Sequence, residues 1–73
     1  MISNLSEFHE YCLQANVKSR LQDLTLQWEC EVSGTKAYEL GIRDMINEIR
    51  EDVNISSEIT QEELERFLYE HCS

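Results

Sequence analysis

The run Asp52-Val53-Asn54-Ile55-Ser56-Ser57-Glu58-Ile59-Thr60-Gln61-Glu62-Glu63 carries an oxygen-bearing residue at every second position from Asp52 to Thr60. A hard cation such as calcium takes about six to eight oxygens at roughly 2.3–2.6 Å, from carboxylates, amides, hydroxyls and backbone carbonyls. In a tightly wound loop, alternate side chains can point inward to supply them. Asp52, Asn54 and Ser56 would offer a carboxylate, an amide and a hydroxyl, and Glu58 its carbonyl. Thr60 would act through its hydroxyl or a water, and Glu63 would close the shell with both carboxylate oxygens. A second explanation uses the same residues. Asp, Asn and Ser turn and cap the ends of helices, and Thr60 with Glu63 has the spacing of a capping box.

The segment from Tyr38 to Leu68 resembles the EF-hand family: an amphipathic helix, a twelve-residue loop and an outgoing helix. The resemblance covers roughly the second half of the chain. It implies calcium binding, as a buffer or as a switch that opens the helix pair and bares an apolar groove. Asp52 matches the family's first aspartate and Glu63 its closing bidentate glutamate, while Asn54, Ser56 and Thr60 stand at side-chain ligand positions. Three features depart from the pattern. Ser57 takes the place of the glycine at the sharp turn, where a left-handed backbone would cost a non-glycine residue about 1–2 kcal/mol. Ile55 is bulky for such a loop, and residues 1–33 hold no second loop of this kind.

Other site chemistries are thinner. His9 and Cys12 lie three apart, and zinc would need His71 and Cys72 to complete four ligands through the fold. No glycine-rich elbow or phosphate cradle is present, and the chain is short for a substrate cleft, so no enzyme is expected. Lys18, Arg20, Lys36, Arg43, Arg50 and Arg66 are scattered among acids, which argues against direct nucleic-acid binding.

The elements that would position these residues are helical. Tyr38, Ile42, Met45, Ile46, Ile49 and Val53 share one face of a helix expected from Lys36 to Glu51, with Thr35 able to cap it and Gly41 permitting close packing. Asp44, Glu48 and Glu51 lie on the opposite face with Leu40 exposed beside them. A last helix is expected from Gln61 to about His71, with Leu64, Phe67, Leu68 and His71 buried and Tyr69 outside. Towards the amino terminus, Leu5, Phe8, Cys12 and Ala15 form one stripe, with Asn4 and Glu7 spaced to cap it. Leu13, Val17, Leu21, Leu24 and Trp28 form a second stripe, rotated by more than a third of a turn. Such an offset fits either a break near Gln14 to Asn16 or one long helix with two sets of neighbours. Residues 24–32 also alternate apolar and polar, so a short strand there competes with helix, with pairing across a dimer as one way to complete it.

Seventy-three residues allow one domain, 1–73, composed of a helical or helix–strand segment over 1–33 and a helix–loop–helix over 35–73. The fold class expected is mainly α. Fifteen Asp and Glu against six Lys and Arg give a net charge of −9, which repels nucleic acid and anionic lipid and favours basic partners or cations. Three unpaired cysteines, no signal-like leader and no run of about 20 apolar residues point to a reduced, cytoplasmic setting without a membrane span. The function expected is a non-enzymatic acidic module that binds a basic protein and regulates or inhibits it. Trp28, Leu40, Asp44, Glu48, Glu51 and Tyr69 are its candidate contacts. A weak calcium module, with Ca2+ as its one cofactor, and a nucleic-acid mimic inhibiting a DNA-binding protein are the alternatives. A homodimer is compatible with all three.

Overall fold

The computed structural model describes residues 1–72, so only residue 73 of the expected domain lies outside the described residues. In chain order come α1 (Leu5–Gln14), α2 (Val17–Glu29), α3 (Thr35–Asp52) and α4 (Gln61–His71). The molecule is a small, mainly α domain, a four-helix bundle.

Local chemistry sets each boundary. Asn4 caps α1 by accepting from the Glu7 N–H at 2.9 Å, and the Glu7 carboxylate accepts in return from the Ser3 N–H at 2.9 Å. The helix then stops. Ala15 closes it, and Asn16 adopts the left-handed region at φ 53, a conformation asparagine tolerates better than most residues. This break resolves the two offset stripes into two helices. It also removes Leu13 from the stripe assigned to it: Leu13 belongs to α1 but points away from the core and is 69% exposed.

Residues 24–29 are helical, and no strand forms over 24–32. Alternation alone cannot hold a strand without a neighbouring ladder, whereas Val17 and Leu21 bury one helical face, with Leu24 and Trp28 half-buried beside them. The β pairing among the described residues is an isolated parallel bridge between Ile2 and Ile55.

After the turn at Cys30 and Glu31, Gly34 takes φ 64 and serves as N-cap of α3, so Thr35 is its first residue rather than its cap. Ile42, Met45, Ile46 and Ile49 then run through the centre of the molecule. Phe8 and Cys12 of α1, Val17 and Leu21 of α2, and Leu64 and Leu68 of α4 close around them, with Ile2 and Ile59 sealing the loop end. The α2–α3 contact is the most extensive, and Gly41 makes it so. A Cβ there would lie 2.8 Å from Thr25 Oγ1 and 3.2 Å from the Thr25 backbone nitrogen. In α4, His71 is exposed rather than buried, and Cys72 takes the inner position beyond it.

Candidate functional site

Two members of the acidic row on α3, Asp44 and Glu48, lie beside α2, which packs closely on the same face at Gly41, and both stay partly open to solvent. Trp28 Nε1 donates to Asp44 Oδ2 at 2.6 Å. One turn along, Arg20 donates to Glu48 Oε1 at 3.1 Å and lies 3.8 Å from Asp52 Oδ2, while the Tyr11 hydroxyl donates to Asp52 at 3.3 Å. The charge-assisted contact with Glu48 holds the Arg20 guanidinium above its ordinary pKa. Desolvation, and then the neighbouring Asp52 carboxylate, raise that of the Tyr11 phenol. Trp28 and Asp44 are therefore half-buried members of a polar seam that Glu48 shares, and Glu51 is exposed beside them. Leu40, expected to be exposed, is half-buried. Tyr69 is exposed on the far side, on α4, where its ring meets that of Tyr38 edge-on at 5.4 Å between centroids.

The structure does not assemble Asp52, Asn54, Ser56, Glu58, Thr60 and Glu63 into a cation shell. Among the described residues, no group of three or more His, Cys, Asp or Glu side chains is arranged to hold a metal ion. The oxygens have other work. Glu63 Oε1 accepts from the Thr60 N–H and hydroxyl, both at 3.1 Å, and Thr60 Oγ1 accepts from the Glu63 N–H in a full capping box. Ser56 Oγ accepts from the Glu58 N–H at 3.2 Å. Asp52 turns towards Tyr11 and Arg20. Ser57 does not enter the left-handed region, which among the described non-glycine residues is occupied by Asn16 alone. Without that turn the loop follows a different course, tied to the amino-terminal segment. The Ile2 N–H donates to the Asn54 carbonyl and the Ser56 N–H donates to the Ile2 carbonyl, each at 2.8 Å.

His9 and His71 approach to 6.3 Å between ring centroids, with the Phe67 ring tilted against His71 at 4.5 Å. They clasp α1 to α4 as an aromatic cluster and form no zinc set with Cys12 and Cys72. Cys12 is buried, and desolvation with the adjacent Cys72 thiol pushes its pKa up to about 12, so it is a protonated core residue.

Two surface depressions lie along α2. One, of about 370 Å³, is lined by Leu21, Thr25, Leu26 and Tyr38 with Cys72 at its floor. The other, of about 330 Å³, is lined by Cys12, Leu13 and Lys18. Gln22 borders both. Leu13, Gln22 and Leu26 were not among the contacts expected from the sequence. The signal available was that Leu13 and Leu26 match neither buried stripe once the chain breaks at Asn16.

Fold and surface together define a small acidic four-helix bundle. No family model matches the chain, and no curated protein or solved structure is significantly similar to it.

Proposed function

We propose that this protein is a non-enzymatic binding module that engages a basic protein through its acidic surface and thereby regulates or inhibits it. The observation that carries the reading is the imbalance of charge on an ordered frame. Ion pairs among the described residues engage Glu48, Asp52 and Glu62, while Glu51 and most of the other acids face solvent without a cation. No charged side chain among them is buried, so the surplus of −9 is displayed outward. Such a field speeds encounter with a positive partner and gives the complex its salt dependence.

The helix–loop–helix from Tyr38 to Leu68 is read as EF-hand-like in layout only, its loop tied to the amino-terminal segment by the backbone bonds of Ile2 to Asn54 and Ser56. A nucleic-acid mimic is the narrower form of the same proposal, in which Asp44, Glu48 and Glu51 of α3 with Glu62 and Glu70 of α4 imitate a row of phosphates.

The test is a titration of a panel of folded basic proteins against the wild type and a triple variant, Asp44→Asn with Glu48→Gln and Glu51→Gln. The amide oxygen introduced by Asp44→Asn can still accept from Trp28, so the seam stays closed, which circular dichroism checks. A complex weakened at least tenfold by the substitutions, and by raised salt, is expected. Equal affinity of both proteins for every basic probe would refute an electrostatic binding surface on α3. Competition by duplex DNA for the shared partner separates the mimic from the general module.

A further inference from the structure

The groove along α2 adds a definite mode of recognition to that charge. Leu13 and Leu26 are 69% and 60% exposed, among the most exposed large apolar side chains of the described residues. Each borders one of two depressions beside α2 that share Gln22 in their linings, and the two adjacent depressions make up the α2 channel. Leu21 and the two buried thiols, Cys12 and Cys72, provide an apolar floor. Single exposed leucines are ordinary on a protein surface; two that each border one of two adjacent, mainly apolar depressions are a place for another chain.

Charge decides what that chain is. Glu29 stands at the Leu26 end of the channel, is exposed, and has no ion pair among the described residues. Lys18 stands at the Leu13 end. Two copies of this protein, each with a net charge of −9 over the whole chain, repel one another at long range, which disfavours self-association. A cationic segment is attracted by the whole molecule and can place a lysine or arginine over Glu29. An amphipathic helix carries apolar side chains at i, i+3 or i+4, and i+7 on one face, the kind of surface that fills adjacent apolar depressions.

Resting on the reading of the protein as a basic-partner module, we propose that the α2 channel receives an amphipathic, lysine- or arginine-bearing helix of that partner. Its apolar face fills the Leu13 and Leu26 depressions and its cationic end lies over Glu29.

The experiment uses a helical leucine/lysine peptide as probe, with a leucine/glutamate peptide of the same pattern as control, followed by amide shifts of the full chain. The leucine/lysine peptide is expected to bind, with shifts centred on Leu13, Gln22, Leu26, Glu29 and Cys72. Leu26→Ser and Leu13→Ser, both exposed and thus compatible with folding, are each expected to weaken it at least fivefold, and Glu29→Lys at least threefold. The control peptide is expected to produce no shifts. Binding that instead maps to Asp44, Glu48 and Glu51 and ignores the leucine substitutions overturns the groove but leaves the acidic module standing. Failure of every cationic probe to bind overturns both. Equal binding of the two peptides overturns the charge assignment. A dimer in sedimentation that Leu26→Ser dissolves makes a second copy the occupant and likewise overturns the proposal.

Discussion

Thr25 and Gly41 show how one missing methyl group sets the approach of two helices. Glycine inside α3 gives up about 1 kcal/mol of helix propensity relative to alanine. Here the sacrifice lets the Thr25 backbone come within 3.2 Å of where a Cβ would stand. Thr25 Oγ1 is not free to swing aside, since it donates to the Leu21 carbonyl at 2.8 Å. Gly41→Ala is therefore expected to destabilise the protein by about 1–2 kcal/mol despite better propensity, because the helices must separate. Thr25→Ala in the same chain should recover only part of that loss, as the backbone contacts remain. Urea denaturation of the two single variants and the double variant checks this. Additive losses with no recovery would show that Thr25 Oγ1 is not the obstacle.

At the scale of elements, the loop between α3 and α4 illustrates how one residue set serves two chemistries and is taken by the local one. The capping box satisfies amide groups that the start of α4 leaves unpaired, and it engages the Glu63 carboxylate. Calcium binding would require that box to open, and the two Ile2 backbone bonds to rearrange as well. Millimolar calcium is accordingly expected to leave the amide shifts of residues 52–63 unchanged, in the wild type and in Glu63→Gln alike. Thr60→Ala is expected to cost about 1 kcal/mol through loss of the cap. Calcium-dependent shifts abolished by Glu63→Gln would instead restore the cation site.

For the whole molecule, the thiol pair and the net charge set the response to conditions. The Cys12 thiol is raised to about 12 in the folded state, against roughly 8.5 when exposed in an unfolded chain. Between those values the folded state binds the extra proton, so stability falls as pH rises from the lower value to the higher and is unaffected by this group well below it. Cys12→Ala should be less stable at neutral pH, from the smaller core residue, but lose less stability over that alkaline window. Denaturation midpoints at neutral pH and at about pH 10.5, between the two values, measure both effects. An identical alkaline loss in wild type and variant would mean that Cys12 is not the titrating group.

The helical stripes of α3 and α4 and the capping pairs at Asn4–Glu7 and Thr60–Glu63 were legible in the sequence, because they depend on residues three or four apart on a single helix. The interruption near Asn16 was legible as one of two readings of the offset stripes. The fate of residues 24–32 was not, since helix and strand patterns coincide there and only a packing partner distinguishes them; α3 is that partner. The candidate site divides along the same line. Its acidic character and the exposure of Tyr69 and Glu51 follow from composition and face. That Asp44 and Glu48 are engaged by Trp28 and Arg20, and that Leu13 and Leu26 border adjacent depressions, depends on residues 13 to 28 positions apart along the chain. Local periodicity carries no information on such pairings. The packing of α2 on α3 at Gly41 brings Trp28 and Arg20 to the acids of α3, and the break at Asn16 sets α1 and Leu13 beside α2; both are properties of packed helices rather than of any one segment.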